Sequence, residues 1–146
     1  MLMSSTSYAA PTKNSTEEPM LESYYPAYPP TTIRSPFTEE TVKRGEYLAK
    51  MGDCISCHTN VKGGTPAYAG GLSIATPFGT FYTPNITPDK ETGIGQWTEQ
   101  DFIRALKEGR DPKGRNYFPV FPYVYFANTS DEDLRALYAY FMSLPA

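Results

Sequence analysis

Both cysteines and the only histidine of this chain fall within five consecutive residues, Cys54-Ile55-Ser56-Cys57-His58. Two thiols separated by two residues and followed at once by an imidazole form the attachment spacing of a c-type haem. The thiols add across the two vinyl groups on one edge of the porphyrin, and the adjacent imidazole folds under the ring so that its Nε2 can bind iron on the proximal face. On this reading Cys54 and Cys57 anchor haem c, and His58 is the proximal iron ligand. Competing chemistries fit these residues less well. Zinc needs four ligands, and beyond these three the chain has no other Cys or His, so zinc would have to borrow a carboxylate or pair across a dimer. A thioredoxin-like redox pair ends a strand in a βαβ setting, and no such alternation surrounds Cys54. A disulfide across so short an interval would be strained and would close almost no loop.

Three helices are predicted to frame the motif. Thr38 can cap a helix whose first turn holds Glu39 and Glu40 and whose apolar positions run through Val42, Gly45, Leu48 and Ala49 to an end near Met51-Gly52. Thr98 can cap a second, with Glu99, Gln100 and Asp101 in its first turn and Phe102, Ile103 and Leu106 as its stripe before Gly109. A third starts at Ser130. Asp131, Glu132 and Asp133 favour its positive end, Leu134, Leu137, Tyr138 and Phe141 repeat at helical spacing, and Pro145 stops it. From Gly63 to Gly95 the density of Gly and Pro reads as loop throughout. So long a loop is unusual in a compact domain, but a large flat apolar ligand can supply the core that such loops lack.

The chain of 146 residues is about one domain long. Residues 1–36 are rich in Ser, Thr, Pro and Tyr and show no apolar period, whereas periodic segments alternate with Gly/Pro loops from Phe37 onward. The domain is therefore placed at residues 37–146. Tyr24, Tyr25 and Tyr28 stand among Pro26, Pro29 and Pro30, which suggests an extended segment whose rings could dock on a surface or on a second copy. A disordered tail is the competing reading. No run approaches the roughly 20 apolar residues of a membrane span, so a soluble or peripherally held protein is expected. Haem attachment outside the cytoplasm implies a secretion signal, for which Met1-Leu2-Met3 is too short. Ser7-Tyr8-Ala9-Ala10 has the small residues of a cleavage site and could be a signal remnant. The net charge of −3 and the lack of a basic stripe argue against nucleic-acid binding.

Taken together, these segments resemble class I c-type cytochromes, and more closely the cytochrome subunits that serve membrane-associated alcohol, gluconate and aldehyde dehydrogenases. The resemblance spans about residues 37–146. It rests on Arg44-Gly45-Glu46-Tyr47-Leu48, Cys57-His58-Thr59, Ala69-Gly70-Gly71, Thr76-Pro77-Phe78-Gly79-Thr80, Thr83-Pro84-Asn85-Ile86-Thr87-Pro88-Asp89, Thr92-Gly93-Ile94-Gly95, and Asp133 through Met142. It implies an all-α class I cytochrome c fold: about three main helices and long loops wrapped around one covalent haem. The first and last helices would cross closely, with Gly45 admitting the backbone and an aromatic near Tyr140 lying against it. Gly70 or Gly71 would present a carbonyl to the Nδ1 proton of His58, orienting the ring and raising its basicity. Trp97 would donate its indole N–H to a propionate or serve as core. Tyr82 and Asn85 fall in the loop that approaches the propionates.

One departure from that family matters. Its distal iron ligand is usually a methionine in a Tyr-Pro-Ala-Met-Pro-Tyr segment, and this chain reads Tyr117-Phe118-Pro119-Val120-Phe121-Pro122-Tyr123, with Phe121 at the methionine position. Phenylalanine cannot ligate iron. The sixth position is left open among Met142, a vacant or water-bound site, and a tyrosine, a lysine, the chain terminus or a partner's side chain. Phe118, Phe121, Tyr123, Tyr125 and Phe126 would make a dry distal pocket without the acid–base pair that peroxidase chemistry uses.

The leading functional expectation is single-haem electron transfer outside the cytoplasm, between a dehydrogenase or another cytochrome and a downstream haem or oxidase, with no substrate chemistry of its own. The alternatives are a haem-based binder or sensor of small ligands and a haem link within a larger cytochrome assembly.

Overall fold

The computed structural model describes residues 27–146. Tyr24, Tyr25 and the cleavage-like residues 7–10 lie outside them. Helix α1, Glu39–Met51, starts where Thr38 accepts the Thr41 N–H at 3.2 Å, as its sequence requires. Helix α2 is a single turn, Cys54–Cys57. Helix α3, Glu99–Glu108, opens with a reciprocal capping box between Thr98 and Asp101 and closes at Gly109, whose φ of 65° is the left-handed conformation glycine adopts at helix ends. Helix α4, Asp131–Met142, is capped by Ser130. It ends at Met142, two residues before Leu144 and ahead of Pro145, with the Ser143 N–H turning back to the Tyr140 carbonyl.

Helix α4 is the axis of the domain. Leu134, Leu137, Tyr138, Tyr140 and Phe141 are all buried, each apolar side chain contributing about 1.5–3 kcal/mol by leaving water. Such all-round burial follows from having neighbours on two sides. Helix α1 crosses it so closely that a Cβ on Gly45 would stand 1.9 Å from the Ala136 carbonyl oxygen and 2.8 Å from Tyr140 Cβ, which is the close crossing expected of this pair. Arg44 pins that crossing through Asp133 at 2.8 Å. On the other side α3 packs Phe102 against Tyr138 and Phe141 at ring separations of 5.7 and 5.9 Å, and the Tyr138 hydroxyl donates to the Trp97 carbonyl at 2.7 Å.

The long loop region corrects the all-α expectation. Within it, β1, Ser73–Thr76, pairs antiparallel with β2, Gly79–Tyr82, across the two-residue turn Pro77-Phe78. The turn is set by Thr76, whose hydroxyl accepts from Phe78 N–H and donates to the Gly79 carbonyl. Ile74, Thr76, Thr80, Phe81 and Tyr82 are β-branched or aromatic, the types that fit a pleated surface, and the hairpin signal was masked by the surrounding glycines and prolines. The rest of the region is irregular but hydrogen-bonded. Asp89 Oδ1 accepts from Glu91 N, Thr92 N and Thr92 Oγ1, and the Ile94 N–H donates to the Thr87 carbonyl.

The segment before α1 lies against the C-terminal end of α4. Thr32 N–H donates to the Ser143 carbonyl at 2.8 Å, Arg34 donates to the Met142 carbonyl at 2.9 Å, and the Lys50 ammonium sits 4.6 Å from the Tyr28 ring centroid. Among the described residues no helix is long and apolar enough to cross a membrane.

Candidate haem-binding site

Helices α1, α2, α3 and α4, the hairpin and the segment 117–126 enclose one cleft of about 570 Å³, within the range of sites that bury a cofactor. Cys54, Cys57 and His58 lie along one side of it, and Phe102, Leu137 and Phe141 are among the apolar side chains that form its walls. Cys54 and Cys57 are free thiols. Burial, and secondarily the Asp53 carboxylate, push the Cys54 thiol up to about 12. Asp53 takes the left-handed conformation at φ 50°, and this turn directly before α2 redirects the chain from α1 into the motif.

His58 is held from both of its ends. Its Nδ1 donates to the Pro84 carbonyl at 2.8 Å, since a carbonyl can only accept, which leaves Nε2 as the lone-pair nitrogen of an imidazole lining the cleft. Its own carbonyl accepts the Gly70 N–H at 2.7 Å. Burial holds the imidazole below its ordinary range, with the Pro84 bond acting the other way; a neutral ring is the form that ligates metal. The next residue, Thr59, is 2% exposed and accepts the Tyr68 N–H through its hydroxyl at 3.1 Å.

The acceptor for Nδ1 is thus Pro84, and the expectation that Gly70 or Gly71 supplies that carbonyl is corrected. Gly70 acts differently. Its φ is 73°, and a Cβ there would meet the Thr83 oxygen and the Pro84 carbonyl carbon at 2.5 Å, so only glycine lets the Thr83–Pro84 backbone come close enough to reach the imidazole. Gly71 donates its N–H to the Thr83 carbonyl at 2.8 Å and fixes the same segment.

Tyr82, Asn85, Trp97 and Phe121 all line the cleft. Tyr82 is 70% exposed and stands at its rim. Asn85 uses both ends of its amide within its own loop, Oδ1 accepting from Thr87 N at 2.8 Å and Nδ2 donating to Thr92 Oγ1 at 2.9 Å. Phe121 lies amid other rings, edge-on to Tyr117 at 5.7 Å and nearly parallel to Phe126 at 6.2 Å. Met142 is not brought to the cleft. Leu137 and Phe141 of α4 face it, and Met142, about 100° further round the helix than Phe141, packs against the core with its carbonyl held by Arg34.

Of the aromatic set read as a dry pocket, Phe118, Phe121 and Phe126 line the cleft. Tyr125 is 81% exposed instead, and Tyr123 packs on Gly109, where φ is 65° and a Cβ would stand 2.5 Å from the tyrosine ring. Sequence reasoning passed over Pro84, Tyr117 and Phe81. Phe81 stacks on Phe118 at 4.4 Å and 14°, joining the hairpin to the far wall. The alternation within β2 is the signal that could have found it.

The motif residues, the clamped imidazole and the apolar walls fit a covalent haem, and they define a c-type haem protein built on a mostly helical frame. Comparison with known proteins places the chain within that class: the family model described as Cytochrome c matches residues 42–145, and the chain belongs to that family. It is 57% identical over 101 residues to the gluconate 2-dehydrogenase cytochrome c subunit of Pantoea cypripedii, covering 69% of this chain and 22% of that protein. It is 52% identical over 104 residues to the alcohol dehydrogenase (quinone) cytochrome c subunit of Gluconobacter oxydans, covering 71% and 21%. It is 40% identical over 121 residues to the fructose dehydrogenase cytochrome subunit of Gluconobacter japonicus, covering 77% and 25%. The chain therefore spans only about a fifth to a quarter of the length of these relatives. The family is one of covalent haem c proteins, and the relatives named here are cytochrome subunits of dehydrogenases.

Proposed function

We propose that this chain is a mono-haem electron carrier that accepts electrons from a dehydrogenase or another cytochrome and passes them to a further haem or an oxidase, outside the cytoplasm. The observation that carries the proposal is the clamped His58 beside Cys54 and Cys57 in a cleft walled by apolar side chains. Bound there through both thioethers, haem c supplies reversible one-electron Fe(III)/Fe(II) chemistry. The chain's residues do the rest. Cys54 and Cys57 hold the ring edge, and the Pro84 carbonyl orients His58 and strengthens it as a donor. Phe102, Leu137 and Phe141 exclude water from one face. Tyr82 and Trp97, which line the cleft, would serve the polar substituents of the ring. The relatives named as dehydrogenase subunits support the donor class, a dehydrogenase acting on small alcohols, sugars or their acids. Residues 1–36 would serve as an export remnant or as a tether to a larger assembly or a second copy.

The test is production in a host with a c-type maturation system. One haem per chain that stays attached after denaturation, and that is reduced reversibly by one electron, is the expected result. Haem lost on unfolding, or retained in Cys54→Ala, Cys57→Ala double variants, would defeat the reading. Addition of an alcohol dehydrogenase (quinone) or a gluconate 2-dehydrogenase with its substrate should reduce the haem, and exclusion of every such donor would remove the partner assignment.

A further inference from the structure

The side chains that can coordinate haem iron in proteins are those of His, Met, Cys, Tyr and Lys. Among the described residues, no methionine and no lysine lines the cleft, and its one histidine and both cysteines belong to the attachment motif. Met51 is 69% exposed, and Met142 packs elsewhere. Two tyrosines remain. Tyr82 is 70% exposed and stands at the rim. Tyr117 lies on the segment that also carries Phe118, Val120, Phe121 and Phe126.

We infer that the face of the cleft walled by Tyr117, Phe118, Val120, Phe121 and Phe126 is an exogenous-ligand site that takes neutral diatomic π-acceptor gases on the ferrous haem. Its chemistry selects that class. Five side chains, four of them without a polar atom and none of them charged, give an anion no ionic partner on this wall, and burying a poorly paired charge is disfavoured. A neutral diatomic incurs no such penalty. Hydrogen peroxide is not served either, because among the described residues no acid–base pair stands on this wall. Tyr117 is the one hydroxyl on this wall. Burial, reinforced by the Asp111 carboxylate, pushes it up to about 12, so at neutral pH it is a phenol, able to donate a hydrogen bond to a bound diatomic and ill suited to replace it as an anionic ligand. Binding is simple coordination: the gas donates its lone pair to ferrous iron, and no bond breaks and no electron is transferred to an acceptor.

The wall is also built to adapt. The Phe121 ring meets those of Tyr117, Tyr123 and Phe126 at 5.7, 6.4 and 6.2 Å, while its backbone is held by the Phe118 carbonyl and the Tyr123 N–H. Phe118 is held by Phe81 and Phe78 of the hairpin. Rings in edge and offset contact can shift without breaking directional bonds, which lets a small guest enter.

This inference rests on the haem reading above. Loss of haem on unfolding would defeat that reading, whereas a covalent haem with an internal sixth ligand would defeat only this one. The experiment is absorption and magnetic circular dichroism of the full-length ferric and ferrous holoprotein, then titration of the ferrous form with carbon monoxide and nitric oxide and of the ferric form with azide. Expected are a high-spin ferrous spectrum, saturable binding of one carbon monoxide per haem, and much weaker azide binding. Phe121→Met should place a sulfur over the iron, convert the spectrum to low spin, and lower the apparent carbon monoxide affinity by about a hundredfold if the site is then open about 1% of the time. Tyr117→Phe should leave the spin state unchanged. Several results would overturn the site: a low-spin ferrous form that takes up no carbon monoxide, or a sulfur-to-iron charge-transfer band abolished by Met142→Leu, Met51→Leu or Met20→Leu. A tyrosinate-to-iron band abolished by Tyr117→Phe would do the same.

Discussion

The two sides of the haem cleft are held by different forces. On the His58 side the contacts are directional hydrogen bonds: imidazole to Pro84 oxygen, Gly70 N–H to His58 oxygen, Gly71 N–H to Thr83 oxygen, and Tyr68 N–H to Thr59 hydroxyl. On the Phe121 side the backbone has its own turn hydrogen bonds, but the side chains that face the cleft meet as rings against rings, with Phe81, Phe118, Tyr117, Phe121 and Phe126 in stacked or edge geometry. A donor nitrogen must point in one direction, and hydrogen bonds weaken steeply when bent. Aromatic contacts are worth only about 0.5–1.5 kcal/mol each beyond area burial and tolerate several geometries. The cleft is therefore stiff where it must aim an atom and compliant where it only excludes water.

The contrast can be broken most severely at Gly70. Gly70→Ala puts a Cβ into the Thr83–Pro84 backbone at a positive φ, and the combined strain and overlap should cost about 3 kcal/mol. Chemical denaturation of the holoprotein measures it. The same variant should alter the haem reduction potential, because the Pro84 oxygen is displaced from His58; an unchanged potential would show that the clamp does not tune the iron.

A smaller loss is expected at Thr59. Thr59→Val leaves the buried Tyr68 N–H without its acceptor, at a cost of about 2 kcal/mol within the usual range for an unsatisfied buried group, read from the same denaturation curve. On the opposite wall, Phe118→Ala removes the stack on Phe81 from a side chain that is 39% exposed, and should cost about 1 kcal/mol while leaving the reduction potential nearly where it was. If Phe118→Ala shifts the potential as much as Gly70→Ala does, the division into a directional and a compliant wall is wrong.

The smallest effect is reserved for a site outside both walls. Hydrogen bonds from Thr98, and more weakly Arg104, hold the Asp101 carboxyl below its ordinary value of 3.8. A folded-state value below the unfolded one means stability that is present above about pH 4 and lost as pH falls through the folded value. Asp101→Asn should therefore cost somewhat under about 1 kcal/mol at neutral pH, and the gap from wild type should narrow in thermal melts taken below pH 4. A gap independent of pH would assign the loss to helix propensity instead of the charge.

Local chemistry was legible wherever one or two neighbouring residues decide the outcome. Thr38, Thr98 and Ser130 cap their helices because a hydroxyl next to an orphan N–H needs no tertiary help. The hairpin was not legible, because Pro77 and Gly79 are equally at home in a loop, and only the pairing of Ile74 with Phe81 makes them a turn. Met142 stands away from the cleft for a related reason: it lies one residue beyond Phe141 in sequence, and in a helix one residue is a turn of about 100°.

The sequence by itself determined the covalent chemistry and the helical frame. Three reactive residues in five positions admit one economical use, and caps and apolar period act over a few residues at a time. The tertiary structure alone decided which carbonyl orients His58, which side chains wall the far face, and that none of the described methionines reaches it. Those outcomes depend on contacts between residues 26 to about 80 positions apart, where the close approach of backbones at Gly45 and Gly70 selects the partners, and a one-dimensional pattern carries no record of that distance.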